Sequence, residues 1–329
     1  MSYVTNASLK TIKPDWNGNP VDGQNRFVNL EYPFLPVFAD VVKWMFSKNP
    51  QRDEKKRDTF RLSHVNDPSF LENDKDCIVW LGHASFFIRL NKVNMLIDPV
   101  FFDIPFVKRY ADHAYADVPF KNIDYLLISH DHQDHCQEKP IRILATSNPG
   151  MKILTGLNMQ NLLKPWTKNL PIQMAGWYQQ YETDSAITIC YLPSRHWSKR
   201  GLNDDNKRLW GAFVIQSKNK TIYFSGDTGY GNHFHDTKIL FPDIDVAIIG
   251  IGAYKPEWFM HPNHVSPYDA VKAFHDLNAK VFIPMHYGTF DVSDEPVGEP
   301  LRILQQMERE NKINGKLKVL KLGESLNKE

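Results

Sequence analysis

The run His130-Asp131-His132-Gln133-Asp134-His135 is where this sequence concentrates chemistry. Five of its six residues are His or Asp, and it holds three of the chain's 13 histidines. Neutral imidazoles and carboxylates are the donors that Zn²⁺, Mn²⁺ or Fe prefer. On a loop leaving a strand, His130 and His132 lie together on a tight turn, while Asp134 and His135 reach a second locus a few ångströms away. An incidental polar loop rarely gathers so many ligand-type residues, so the run predicts a metal site rather than a solvated turn.

One loop cannot fill two coordination shells, so further His or Asp residues are expected at strand ends. Three fit. His196 follows the apolar run Ile187–Leu192, Asp227 follows Thr221–Phe224 in Ser-Gly-Asp-Thr-Gly, and His286 follows Val281–Met285 in Met-His-Tyr-Gly. Each alone would read as a polar residue closing a turn; together they predict a shared site.

The elements that must position these residues begin at Cys77. Short apolar runs at 77–81, 86–90 and 95–97 read as a strand meander, and 125–128 as a strand ending at the histidine run. Further strands are expected at 151–155, 186–192, 211–216, 220–225, 245–251, 280–285 and 317–321, with 211–225 forming a hairpin. Helices are expected at 138–147, 156–164, 267–278 and 298–311, the third capped by Ser266 with Pro267 in its first turn. Strands and helices alternate, which predicts an α/β fold. Residues 1–31 are polar and read as an extended arm. Residues 34–47 suggest an amphipathic helix, with Val37, Phe38, Val41, Val42 and Met45 near helical spacing, and the charged stretch 51–61 reads as a linker or solvated helix face. The chain thus divides into 1–60, an arm and amphipathic helix, and 61–329, the domain carrying the site. Packing on protein, either its own domain or a homodimer partner, is the favoured reading of 34–47, with peripheral membrane contact as the alternative.

Composition narrows the class. Lys plus Arg is 39 against 38 Asp plus Glu, a formal charge of +1. A nucleic-acid partner, which would demand a basic surface, is therefore not expected. Cys77, Cys136 and Cys190 are too few and scattered for a disulfide framework, and the N-terminus lacks a signal-peptide pattern, so a cytoplasmic location is expected, extending to the inner membrane face if the helix docks there.

The His-x-His-x-Asp-His run, with His196, Asp227 and His286, resembles the metallo-β-lactamase superfamily. Within it, Trp80-Leu81-Gly82-His83-Ala84, Leu96-Ile97-Asp98-Pro99, His196-Trp197-Ser198-Lys199-Arg200, Gly226-Asp227-Thr228-Gly229-Tyr230, His264-Val265 and His286-Tyr287-Gly288-Thr289-Phe290 closely resemble the branch of phospholipases D that hydrolyse N-acyl phosphatidylethanolamine. The likeness runs from about residue 35 to Gly323-Glu324-Ser325. It implies a four-layer αβ/βα sandwich with metals at one edge between two sheets. It also implies that His130, His132 and His196 hold one divalent ion and Asp134, His135 and His286 another, with Asp227 bridging; zinc is the first choice, manganese or iron the alternatives. Two such ions, about 3.5–4 Å apart, would share and acidify one hydroxide for attack on phosphorus or a carbonyl carbon.

Under that resemblance Asp134 becomes the residue to orient the nucleophile or take its proton, and His264, before a helix N-terminus, the one to meet a substrate phosphate. Arg200, Trp197 and Tyr254 are further substrate candidates. His83 lies in a turn that the resemblance places near the site, where it either supports the centre or an oxyanion or is simply a hydrogen-bonded turn histidine; Asp98 is a buried support for the metal loop, and Asp131 either supports a ligand or closes the turn. The implied substrate is a phospholipid-like or other small phosphodiester. The rivals are a lactonase or other carboxyl-ester hydrolase, an RNA-processing nuclease, and a binding protein with a relic site. The Cys-ligand lactamases are disfavoured because Asp227 stands where they carry Cys, and a diiron redox role because His132 stands where that branch uses Glu.

Overall fold

From Cys77 onward, successive residues of each apolar run turn to opposite sides, and both sides are buried. Ile78 and Trp80 enter one core, whereas Cys77, Val79 and Leu81 enter another; Tyr125 and Leu127 part from Leu126 and Ile128 in the same way. A strand covered on both faces needs such an unbroken apolar run. The computed structural model describes residues 1–327 apart from Pro36, 113–114, 116–119 and 185.

The strands, in chain order, are β1 (Ser2–Val4), β2 (Lys10–Thr11), β3 (Asn19–Val21), β4 (Cys77–Gly82), β5 (Ser85–Leu90), β6 (Val93–Ile97), β7 (Tyr125–Ile128), β8 (Lys152–Gly156) and β9 (Ile172–Ala175). They continue with β10 (Gln179–Gln180), β11 (Thr188–Leu192), β12 (Ala212–Ser217), β13 (Lys220–Phe224), β14 (Val246–Gly250), β15 (Val281–Met285), β16 (Lys316–Leu317) and β17 (Ser325–Asn327). The helices are α1 (Phe38–Phe46), α2 (Arg52–Arg57), α3 (Glu138–Ser147), α4 (Gln160–Leu163), α5 (His233–Leu240), α6 (Glu257–Met260), α7 (Pro267–Leu277) and α8 (Glu299–Arg309).

One sheet has the order β17-β4-β5-β6-β7-β8-β9, and the other β16-β15-β14-β13-β12-β11-β10-β2. In the first, β4 to β6 form the expected antiparallel meander and β6 to β9 run parallel. In the second, β11 to β13 are antiparallel and β13 to β16 parallel. The two sheets therefore repeat one pattern, a symmetry that the sequence does not display. Helix α3 packs Ile141 and Leu144 on the outer core of the first sheet, and α7 and α8 pack Ala270, Phe274 and Leu304 on the second. The result is the expected four-layer αβ/βα sandwich.

Several boundaries differ from expectation. The helix expected over 156–164 forms only at 160–163, because Gly156 stays in β8 and pairs with Ala175. Strand β16 is two residues long instead of the run 317–321. The amphipathic helix spans Phe38–Phe46, with Pro36 outside the described residues, and the charged stretch after it contains α2, none of whose residues is buried. In the polar arm, β1 pairs with β3, and β2 adds to the edge of the second sheet against β10. Helix α7 starts as expected, with Ser266 Oγ accepting the Asp269 N–H at 3.2 Å.

Candidate metal centre

Every expected ligand sits just beyond the carboxyl end of a strand: the histidine run after β7, His196 after β11, Asp227 after β13 and His286 after β15. Open α/β sheets present their ligand sites at these ends. Gly226 makes the Asp227 turn feasible. Its φ is +56°, and a Cβ there would lie 2.7 Å from the Gly211 carbonyl oxygen.

Two donor groups result. His130, His132, His196 and Asp227 form one, and His83, Asp134, His135 and His286 the other, with the donor atoms of each group within 4.8 Å of one another. His130 Nε2 lies 3.0 Å and His196 Nε2 3.1 Å from His132 Nδ1. Asp227 spans the two groups, with Oδ2 3.1 Å from His135 Nε2 and 3.8 Å from His196 Nε2, and Oδ1 3.2 Å from His286 Nε2.

The surrounding hydrogen bonds fix which nitrogen of His130, His135 and His196 is bare. Ser129 Oγ donates to Asp98 Oδ2 at 2.5 Å and so accepts from His130 Nδ1 at 2.9 Å. His196 Nδ1 donates to the Asn263 carbonyl at 3.1 Å, and His135 Nδ1 to Asp98 Oδ2 at 2.8 Å. His130 and His196 therefore aim bare Nε2 lone pairs at one locus, an arrangement that a cation relieves. His132 faces the same locus with Nδ1, and the Nε2 atoms of His135 and His286 are buried without a hydrogen-bond partner.

Electrostatics agree with cation binding. Burial holds His130 and His196 well below the usual imidazole range, so both are neutral. Burial pushes the Asp134 and Asp227 carboxyls up, but the imidazoles around them pull harder and both end well below the usual range. Although burial pulls His286 down, Asp227 and Asp134 raise it to about 9, and the same two carboxylates raise His135, also against burial, well above the usual imidazole range, so a cation bound here would displace a proton from these rings. Neutral imidazoles and ionised carboxylates are the states that bind metal. The residues present fit bound metal.

The centre opens into a cleft of about 370 Å³. His264 lines it, with Nδ1 3.8 Å from Asp227 Oδ2, and so do Trp197 and Asp134. Trp197 packs edge-on against His132 with ring centroids 4.5 Å apart. Two expected substrate residues, Arg200 and Tyr254, do not line this cleft. Arg200 donates Nη1 to the carbonyls of Asp131, at 3.0 Å, and Cys136, at 2.5 Å, closing the metal loop from behind. Tyr254 is buried and donates its hydroxyl to Glu299 Oε1 at 2.5 Å. Asp131 faces away from the ligands: Oδ2 accepts Arg208 Nε at 2.6 Å and Oδ1 accepts the Lys199 N–H at 3.0 Å.

Sequence reasoning missed the apolar walls formed by Trp44 of α1, Ile104, Val107 and Val292. The signal was present for α1, because Val41 and Trp44 are three residues apart on one helical face. It also missed Arg208, whose role depends on a contact 77 positions away.

Comparison with known proteins places this geometry. A beta-lactamase superfamily domain model matches residues 93–287. N-acyl-phosphatidylethanolamine-hydrolyzing phospholipase D 1 of Caenorhabditis elegans is 31% identical over 316 residues, covering 88% of each chain. The mitochondrial enzyme of the same name from Saccharomyces cerevisiae is 29% identical, over 69% of this chain and 51% of its own. Among solved structures, a metallo hydrolase from Ignicoccus hospitalis matches with TM-score 0.57 and 20% identity, over 78% of this chain and 99% of that one. The diiron β-hydroxylase CmlA of Streptomyces venezuelae matches with TM-score 0.59 and 18% identity, over 78% and 55%; at such identities the likeness shows the fold alone. The chain belongs to the metallo-β-lactamase superfamily and, within it, to the branch of N-acyl-phosphatidylethanolamine-hydrolysing phospholipase D-like proteins. It is a metal-dependent hydrolase.

Proposed function

We propose that the protein is a dinuclear phosphodiesterase that hydrolyses an N-acyl phosphatidylethanolamine-like phospholipid in the manner of a phospholipase D. The observation that carries this reading is the joining of two donor groups to a cleft with apolar walls, where Trp44, Ile104, Val107, Phe259 and Val292 stand beside Asp134, His264 and Lys199. A lipid phosphodiester has this division, an anionic centre flanked by apolar chains. The relatives named as phospholipases D support the same substrate class.

His130, His132 and His196 would hold one ion and Asp134, His135 and His286 the other, with Asp227 between them. Zn²⁺ is the first choice, with Mn²⁺ or Fe able to use the same donors. Ions so held acidify water and neutralise charge developing on phosphoryl oxygens. Asp134 orients the attacking water and takes its proton. His264 contacts a phosphoryl oxygen from the opposite wall. Water adds to phosphorus, the bond to the ethanolamine oxygen breaks, and that oxygen leaves with the proton that Asp134 took from the water. Trp197, against His132, borders the reacting group.

Exposed apolar side chains surround α1 and its neighbours. Met45 is 72% and Phe46 85% exposed, and Trp258 is exposed beside Lys43 of the same helix. Lys43 lies over the Trp258 ring, 4.3 Å from its centroid. This face suits peripheral contact with a lipid surface, the source of the substrate. Among the described residues, no helix is long and apolar enough to cross a membrane.

The test compares turnover of a bis-aryl phosphodiester with a panel of lactones by the metal-loaded protein. Turnover of the phosphodiester is expected; turnover of lactones alone would assign the site to carboxyl esters, whose cleavage needs the same nucleophile.

A further inference from the structure

His83 is the one residue of the second donor group that stands outside the metal-binding run and the later strand ends. Gly82, which ends β4 at φ +120°, leads into the turn of His83, at φ +51°, and Ala84 that joins β4 to β5. This turn is tied to the centre through its backbone. The His83 carbonyl accepts the His286 N–H at 3.1 Å and Trp80 Nε1 at 2.9 Å, and the His83 N–H donates to Thr289 Oγ1 at 3.0 Å. The ring is 2% exposed and packs against the His286 ring with centroids 3.9 Å apart. Its Nε2 lies 3.0 Å from Asp134 Oδ2, closer than His286 Nε2 at 3.4 Å or His135 Nε2 at 3.9 Å.

We propose that His83 is a positioning residue: its Nε2–H donates to Asp134 Oδ2 and fixes the direction in which this carboxylate faces the second ion and the cleft. The turn that carries the ring is bonded to the backbone of His286, so one short segment aligns two donors of the same ion. Hydrogen bonds of this kind to a metal-binding carboxylate set its orientation, and their loss typically lowers metal affinity or activity about 10- to 100-fold. The inference rests on the dinuclear reading given above.

Two substitutions separate positioning from simple space-filling. The Gln amide nitrogen reaches the place of histidine Nε2, whereas the Asn nitrogen reaches only that of Nδ1. A left-handed φ, by contrast, favours Asn over Gln. The experiment measures the affinity of each of the two ions by chelator competition, with turnover and melting temperature alongside, for wild type, His83→Gln and His83→Asn. His83→Gln is expected to keep second-ion affinity within about threefold. His83→Asn is expected to lose about 10- to 100-fold at the second ion and keep the first. Asn performing as well as Gln would overturn the proposal. Equal loss in both variants, with first-ion affinity and melting temperature unchanged, would make His83 a direct ligand and also overturn it. A wild-type protein that binds fewer than two ions would refute the dinuclear reading itself, a result visible before either variant is made.

Discussion

The Asp98 carboxylate accepts the Nδ1 proton of His135 at 2.8 Å, and both side chains are fully buried. The same carboxylate accepts the Ser129 N–H at 2.7 Å and its hydroxyl at 2.5 Å, so one anion behind the metal loop satisfies three donors. Through Ser129 it also reaches His130. Asp98 thereby holds one histidine of each donor group. Asp98→Asn would turn an amide N–H₂ toward these donors. The expected outcome is a loss of metal affinity of about 10- to 100-fold at both positions, measured by chelator competition.

Asp134 and Asp227 separate in their expected effects. Asp134→Asn should leave the melting temperature close to wild type, lower kcat by about 10²- to 10⁴-fold, the range for loss of a proton acceptor, and weaken the second ion while sparing the first, because Asp134 belongs to the second donor group alone. Asp227→Ala should lower turnover and also metal content, because Asp227 lies between both donor groups. Full activity in either variant would refute the assigned roles.

Arg208 is expected to act on stability and cleft shape together. Its guanidinium bridges Asp131, which is fully buried, and Asp204, and Asp204 accepts the Arg200 and Gly201 N–H groups. Arg208→Ala leaves the Asp131 charge buried without its partner, which typically costs about 3–5 kcal/mol. Chemical denaturation should show this loss. Arg208→Lys, which can reach only one of the two carboxylates, should fall between the two.

Much of this centre was legible in the sequence because metal donors announce themselves by residue type. Three histidines in six positions, and His or Asp directly after apolar runs, need no tertiary information. Strands β4 to β7 were legible for a related reason, since burial on both faces leaves an unbroken apolar run. Helix α5 was not legible: the residues it buries are His233, Phe234 and Thr237, so its inner face carries little hydrophobic signal. Strand β2 was hidden because it joins the sheet edge through polar Lys10 and Thr11, which pair by backbone alone. Arg200 and Tyr254 were misplaced because charge and aromaticity near a motif do not reveal which way a side chain turns. The carbonyl partners of Arg200 lie 64 and 69 positions away.

The exposed apolar face of α1 yields a prediction about the lipid surface. Phe46→Glu should weaken binding to phosphatidylethanolamine vesicles and raise the apparent KM on vesicle substrate. Hydrolysis of a soluble bis-aryl phosphodiester should be unchanged, because Phe46 does not line the cleft. Unaltered vesicle binding, together with a loss of self-association in sedimentation, would assign this face to a second copy of the chain.

The most direct test of the central claim joins metal analysis to hydrolysis of N-acyl phosphatidylethanolamine. The account predicts about two divalent ions per chain, and release of phosphatidic acid and N-acylethanolamine that stops when the ions are removed and returns when they are restored. Full hydrolysis by metal-free protein, or no phosphodiester cleavage by protein carrying both ions, would contradict it.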